Sequence, residues 1–101
     1  MGIKYIETRT ALKDKNRIKS MSNSVKNRIV FLIENILENP RALNAPGDPE
    51  ELKYTDIEIW SRSLTKKDRI VYGIEPGSNY DFTDESEIIV FYQYLGHYSD
   101  K

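Results

Sequence analysis

The sequence contains no cysteine and a single histidine, His97. Without cysteine, neither a disulfide framework nor a thiolate metal site can form, and this composition is compatible with a reducing compartment. One histidine alone does not make a transition-metal site, so we expect no metal and no cofactor. No apolar run reaches the length of a membrane-spanning helix, and the first residues lack the apolar region of a signal peptide. These absences predict a soluble cytoplasmic protein.

The net charge is small, but its distribution is uneven. The 101 residues carry a net charge of −1 and predict one domain, residues 1–101, with a single hydrophobic core. Residues 1–28 contain eight lysines and arginines against two acidic residues, a balance of +6, whereas residues 29–101 have a balance of −7. The first segment predicts a basic face that binds a polyanion, and a merely solvated helix face is the alternative. The candidate contacts are Lys13, Lys15, Arg17, Lys19, Lys26 and Arg28.

Hydrophobic periodicity predicts helices in the first part of the chain. Residues 2–7 alternate as a short strand, and residues 8–20 form a polar helix that Thr8 or Thr10 can cap. Residues 22–38 predict a second helix, because apolar side chains recur there at helical spacing between Ser22, which can cap it, and Asn39-Pro40, which ends it. The two helices form a predicted hairpin.

After the loop of residues 40–49, the period changes to two. Four strands are predicted, at ELKY, EIWSRSL, RIVYGIE and EIIVFYQYL, with TKKD as a hairpin turn and a long acidic loop at residues 75–86. Alternation in RIVYGIE assigns Ile70, Tyr72 and Ile74 to the core face of its strand. Helices followed by strands predict an α+β fold, in which an N-terminal strand and the helical hairpin pack on one face of a small antiparallel β-sheet.

Four side chains in this predicted sheet suit the chemistry of phosphate and RNA. Arg62 and Arg69 each offer a planar fork of donors with a fixed charge, which suits a phosphate group. His97 titrates near neutrality and can donate a proton to a leaving group, and Tyr98 can stack on an unpaired base. Taken singly, each arginine can equally be a surface or ion-pair residue, and His97 can equally be a packed residue at the end of the last strand.

Two stretches carry a resemblance to a known family: PEELKYTDIEIWSRSLTKKDRIVY and, later, IIVFYQYLGHY. They resemble the YoeB/Txe group of the RelE-like bacterial toxins. The pattern of that group is Pro-Glu-x-Leu-Lys, a Trp-Ser-Arg strand, Asp/His-Arg-Leu/Ile-Val-Tyr, and a closing strand that ends in His-Tyr. The four motifs occur here in the same order over residues 49–98.

The resemblance implies a RelE-like, microbial-ribonuclease-like fold and a specific activity. It implies an endoribonuclease toxin of a type II toxin–antitoxin system that cleaves mRNA in the ribosomal A site and is silenced by a cognate antitoxin. The roles that it implies are a general base at Glu50, a phosphate-binding group at Arg69, a general acid at His97, a positioning aromatic at Tyr98 and an auxiliary phosphate contact at Arg62. Because RNA supplies its own nucleophile, the 2′-OH, cleavage without a metal needs only a base, an acid and stabilisation of the developing charge.

One departure and two alternatives accompany this interpretation. Ser63 stands where many members of the group have a second arginine, and the missing charge is expected to slow cleavage or alter substrate preference. The alternatives are a non-catalytic toxin of the same fold that inhibits a protein target such as gyrase, and an RNA-binding domain without activity. The set of Glu50, Arg69 and His97 separates them, because a pure binder has no reason to keep it. Glu50 alone can equally be an exposed loop carboxylate, whereas Trp60 is expected to pack rather than to stack on a base.

Overall fold

The computed structural model describes residues 4–52, 57–82 and 87–97. After one short strand, two helices precede the remaining strands, as the sequence predicts. The elements are β1 (Tyr5–Glu7), α1 (Arg9–Ile18), α2 (Asn23–Glu38), β2 (Glu50–Leu52), β3 (Glu58–Ser63), β4 (Arg69–Pro76), a 3-10 turn (Gly77–Tyr80) and β5 (Glu87–Gln93). Within these described ranges, no helix is both long and apolar enough to cross a membrane.

Hydroxyl side chains define the start of both helices. The hydroxyl oxygen of Thr8 accepts a hydrogen bond of 3.1 Å from the backbone N–H of Ala11, so Thr8 rather than Thr10 is the N-cap of α1. Ser22 accepts in the same way from the N–H of Val25 at 3.3 Å and caps α2. Each cap satisfies a backbone donor that has no partner inside the helix.

The five strands form one sheet in the order β1-β5-β4-β3-β2. All neighbouring strands are antiparallel except β1, which pairs in parallel with β5. The predicted α+β fold with a small, largely antiparallel sheet is therefore confirmed, whereas β1, expected to pack with the hairpin on one face, is instead an edge strand of the sheet. A hairpin forces its two strands to be antiparallel, but both helices and three strands separate β1 from β5, so no such constraint acts on that pair.

The hydrophobic core lies between the two helices and one face of the sheet. Ile29, Leu32 and Ile36 of α2 are buried there against the predicted core face of β4. That face consists of Ile70, Tyr72 and Ile74, as alternation predicts. Trp60 is buried in the same core, and its indole N–H donates to the Glu58 carboxylate. The packing interpretation of this tryptophan is therefore confirmed.

The other face of β2, β3, β4 and β5 is not covered by the helices, and we call it the open sheet face. A small apolar cluster of Leu52, Ile59 and Val71, joined by Tyr92, occupies part of it. A Cβ atom at Gly73 would lie only 2.7 Å from the Tyr92 ring, so the missing side chain makes room for that ring. The polar side chains described next lie on this face, beside the apolar cluster.

Candidate active site

Glu50 and Arg69 meet on the open sheet face. Glu50 begins β2 and lies opposite Ser61 of β3, and Arg69 begins β4 and lies opposite Ser63 of β3. Both side chains therefore project from the same face, and Nη2 of Arg69 lies 3.6 Å from Oε1 of Glu50. The Glu50 side chain is 66% exposed and that of Arg69 is 28% exposed. The two groups can thus reach a ligand that approaches this face.

Two serine hydroxyl groups hold the guanidinium of Arg69. The Ser61 hydroxyl oxygen accepts from Nε at 3.1 Å and from Nη2 at 2.8 Å. The Ser63 hydroxyl oxygen accepts from Nη1 at 2.9 Å. The sequence interpretation assigned no role to Ser61. Alternation in EIWSRSL carries the signal, because it places both serines on the face opposite to Trp60 and Arg62.

His97 is the last residue of a short segment after β5, residues 94–97, that we call the exit segment. The backbone N–H of Arg69 donates to the carbonyl of Gly96 at 2.9 Å, and the N–H of Gly96 donates to the Asp68 carboxylate at 2.8 Å. Gly96 has a φ of 92°, a conformation that favours glycine. His97 itself is exposed. The backbone that carries His97 is therefore anchored at the start of β4, where Arg69 lies. Tyr98, the predicted positioning aromatic, lies outside the described residues.

Three further side chains fix the exit segment, and sequence patterns did not reveal them. Asp14 of α1 is buried, and its carboxylate accepts from the backbone N–H groups of Tyr94 at 3.0 Å and Leu95 at 3.1 Å. The side-chain amide of Gln93 donates to the carbonyl of Leu95 at 2.9 Å. Burial raises the pKa of the Asp68 carboxyl, but hydrogen bonds from the Gly96 N–H and a threonine hydroxyl outweigh it and hold that pKa below its ordinary value.

The side chain of Arg62 is not accessible to a ligand, and its predicted role as an auxiliary phosphate contact is wrong. Its side chain is completely buried, with 0% exposure. It donates to Oδ1 of Asn35 at 2.5 Å and to the carbonyls of Asn39 at 3.0 Å and Pro46 at 3.2 Å. Strand alternation explains the error, because Arg62 shares the face of Trp60, and that face is the core. Arg62 joins the end of α2 to the following loop.

The predicted basic contacts all lie on the helix layer rather than on the open sheet face. Lys15 pairs with Glu7 at 3.0 Å, and Arg17 with Asp14 at 3.7 Å. Arg28 donates to the carbonyls that end β3. Lys13, Lys19 and Lys26 form no ion pair within the described part of the chain. Among residues 4–52, 57–82 and 87–97, no cluster of acidic or histidine side chains is arranged to hold a metal ion.

Comparison with known proteins agrees with this architecture. The family model described as "YoeB-like toxin of bacterial type II toxin-antitoxin system" matches residues 8–98. The solved structure of a YoeB/ParE toxin from Agrobacterium tumefaciens is similar to this chain with a TM-score of 0.75 and 26% identity, over 95% of this chain and 100% of that one. A YoeB dimer from Staphylococcus aureus is similar with a TM-score of 0.70 and 22% identity, over 95% of this chain and 98% of that one.

A third similar structure is the heterotetrameric YoeB–YefM toxin–antitoxin complex from Staphylococcus aureus, with a TM-score of 0.68 and 22% identity over 95% of this chain and 98% of that one. No curated protein matches the chain significantly. Two helices on one face of a five-stranded sheet, with a glutamate–arginine pair on the other, define a small α+β toxin domain. The chain belongs to the family of YoeB-like toxins of bacterial type II toxin–antitoxin systems.

Proposed function

We propose that this protein is an endoribonuclease toxin that cleaves mRNA in the ribosomal A site. The observation that carries the proposal is the position of Arg69 between the other two groups. Its guanidinium lies 3.6 Å from the Glu50 carboxylate, and its backbone N–H binds Gly96, the residue before His97. A candidate base and a phosphate-binding cation are therefore neighbours on the open sheet face, and the backbone just before the candidate acid is bonded to the first residue of β4.

These three groups can divide the work of RNA cleavage between them. Arg69 binds the scissile phosphate and stabilises the charge that develops on it. Glu50 accepts the proton of the 2′-OH as its oxygen attacks phosphorus, and His97 donates a proton to the 5′-oxygen as the bond from phosphorus to that oxygen breaks. The products are a 2′,3′-cyclic phosphate and a 5′-hydroxyl end. Side chains alone supply each proton transfer, and Tyr98 positions the neighbouring base.

The basic residues of the helix layer supply the attachment to the ribosome. Lys13, Lys19 and Lys26 form no ion pair within the described residues and can each contact a phosphate of ribosomal RNA. They lie on the opposite side of the sheet from Glu50 and Arg69. Docking through the helix layer would therefore leave the open sheet face available to mRNA.

A cognate antitoxin and a cytoplasmic location complete the proposal. The relative from Staphylococcus aureus has been solved as a YoeB–YefM complex. By analogy, a neutralising partner binds this chain across the open sheet face or along one of the strands at the edges of the sheet, β1 or β2, where a peptide strand could add to the sheet. Ribosomes and their mRNA place the activity in the cytoplasm.

The test is to incubate the purified protein with ribosomes that hold a defined mRNA and to map the cut ends. Glu50→Gln and His97→Ala are each expected to reduce single-turnover cleavage by about 10²–10⁴, the usual contribution of a positioned acid or base. Glu34→Gln, an exposed change on α2, is the control and should cleave like the parent. Uncut mRNA with the parent would contradict the proposal and favour a non-catalytic inhibitor or an RNA-binding domain.

A further inference from the structure

The hydrogen bonds of Arg69 divide its donors into two sets. A guanidinium carries five N–H donors, one on Nε and two on each terminal nitrogen. Ser61 accepts from Nε and Nη2, and Ser63 accepts from Nη1. These three bonds leave one N–H on each terminal nitrogen. Glu50 approaches Nη2 only to 3.6 Å, which is too long for a hydrogen bond. Two N–H donors therefore have no acceptor among residues 4–52, 57–82 and 87–97, and two is the number that a bidentate oxyanion requires.

Hydroxyl acceptors fix the guanidinium without neutralising it. A carboxylate in the same place would hold Arg69 more strongly, but its negative charge would oppose the binding of a phosphate. A serine hydroxyl accepts the hydrogen bond and adds no negative charge to that of the Glu50 carboxylate, which lies 3.6 Å from Nη2. Ser61 is 1% exposed, so water does not compete for its hydroxyl oxygen.

The scaffold that carries the two hydroxyls is rigid. Ser61 and Ser63 are alternate residues of β3, which is paired on one side with β2 and on the other with β4, where Arg69 lies. Many members of the resembling group have a second arginine at the position of Ser63. An arginine there would add a second cation but could not accept a hydrogen bond from Arg69. This chain therefore has a second acceptor for its single phosphate-binding arginine.

We infer that Ser61 and Ser63 are positioning residues that orient Arg69 as a two-donor clamp for a phosphate group. Their effect on catalysis rests on the proposed function, whereas their effect on the guanidinium is a property of the folded protein. The two can be measured separately, and a failure of one is distinguishable from a failure of the other.

The first measurement is nitrogen-15 NMR of the Arg69 side chain without any ligand. In the parent, the hydrogen bonds should slow rotation of the guanidinium and protect its Nε–H from exchange with water. Ser61→Ala should accelerate both processes and Ser63→Ala should accelerate the rotation, while Ser63→Thr, which keeps a hydroxyl, should behave like the parent. Ser78→Ala, at an exposed position of the 3-10 turn, is the matched control. Unchanged rotation and exchange in both alanine variants would overturn the inference, whatever the activity of the protein.

The second measurement is mRNA cleavage on ribosomes. Each alanine variant should lose about 10–100-fold in kcat, by analogy with the removal of residues that orient metal ligands, with little change in KM. Ser63→Thr should restore most of the loss, and the thermal midpoints should stay close to that of the parent. Parent-like kcat in folded alanine variants would overturn the inference. If Ser61→Ala does not fold, Ser63→Ala decides, because Ser63 is only partly buried. A parent that does not cleave would contradict the proposed function. The NMR result alone would then decide whether Ser61 and Ser63 orient Arg69.

Discussion

Arg62 and Arg69 have the same side chain but opposite environments. Arg62 is completely buried, and all of its acceptors belong to α2 and the loop that follows it. Arg69 is partly exposed and donates to two hydroxyls, which use three of its five N–H groups. The difference follows from strand alternation: one arginine projects into the core and the other projects from the open sheet face. Of these two arginines, Arg69 is therefore the one suited to bind a phosphate.

Replacement of Arg69 should separate charge from geometry. Arg69→Lys keeps the positive charge but loses the planar fork of donors. A lysine cannot donate hydrogen bonds to both serines and to a phosphate in the same geometry, so cleavage should fall substantially. Arg69→Ala should cost more, about 2–4 kcal/mol of transition-state stabilisation by analogy with the removal of oxyanion donors. Single-turnover cleavage and circular dichroism on the same samples measure the two effects. Near-parental rates in both variants would assign the phosphate contact to another cation.

Replacement of Arg62 should affect stability instead. Arg62→Met keeps an apolar stem but leaves the Asn35 side chain and the carbonyls of Asn39 and Pro46 without a donor. An unsatisfied buried acceptor costs about 1–3 kcal/mol, and since these three acceptors are only partly buried, the free energy of unfolding should fall by about that amount in total. Urea unfolding measures the loss. A variant with parental stability and impaired RNA binding would instead support the original assignment of Arg62 to phosphate.

The sequence distinguishes these two arginines only in part. Alternation correctly pairs Arg62 with Trp60 in β3 and places Arg69 opposite to the core residue Ile70 in β4. Only the register between the two strands, which is a matter of tertiary structure, shows that Arg62 lies on the same face as Ile70. The acceptors of Arg62 come from residues 35–46, and no periodicity in the sequence links them to β3. Ser61 and Ser63 are recognisable as neighbours of Arg69 only once the register of β3 and β4 is known.

At the level of elements, the exit segment depends on carboxylates from two distant parts of the chain. Asp14 comes from α1, and Asp68 comes from the turn before β4. Both accept hydrogen bonds from backbone N–H groups, which therefore have partners although β5 has ended at Gln93. The histidine is thus held at the end of β5 without being packed into the core.

Asp68→Asn should loosen this segment in a pH-dependent way. Because the pKa of Asp68 is lowered in the folded protein, its ionised form contributes stability above its ordinary pKa of about 3.9, and this contribution is lost as the pH falls through the lower folded value. The parent should therefore be more stable than the variant at neutral pH, and the gap should narrow below about pH 4. Urea midpoints at pH 7 and pH 3 test this, with Glu34→Gln as the control. A gap that is constant with pH would exclude the ionised carboxylate as its cause.

The elements themselves are largely predictable from the sequence, and their pairing is less so. The N-caps at Thr8 and Ser22 follow from the hydroxyl before each periodic segment, and the strands follow from alternation. The parallel pairing of β1 is invisible to local patterns, because its partner begins at Glu87. Asp14 also escapes prediction, since a carboxylate in a polar helix is usually solvated, whereas this one is buried against β5 and the exit segment.

At the scale of the whole molecule, the two predicted functional surfaces lie on opposite sides of the sheet. The catalytic candidates are on the open sheet face, and the lysines and arginines of residues 13–28 are on the helix layer. A small net charge conceals this separation. The proposed attachment to ribosomal RNA and the proposed cleavage of mRNA would therefore use opposite sides of the sheet.

Removal of the helix-layer cations should weaken ribosome binding and its salt dependence while leaving the active site intact. Each phosphate that the protein no longer binds should reduce the slope of log binding constant against log salt by about 0.7–0.9 units. A triple variant of Lys13, Lys19 and Lys26 to alanine therefore lowers the slope by roughly two units if all three bind phosphates. Asn27→Ala, an exposed neighbour on α2, is the uncharged control. An unchanged slope would show that these lysines are solvated surface residues that do not contact phosphates.

The order of strands in the sheet also determines when the proposed active site can form during synthesis. β5 begins at Glu87, 80 residues after β1 ends at Glu7, yet it lies between β1 and β4. At 5–20 residues per second, synthesis of the intervening chain takes about 4–16 s, during which β1 has no partner and the bond from Arg69 to Gly96 cannot form. The nascent chain therefore has the candidate RNA-binding residues of α1 and α2 several seconds before the candidate catalytic residues can come together. Under the proposed function, this delay would give an antitoxin time to bind the growing chain before it could cleave the message that encodes it.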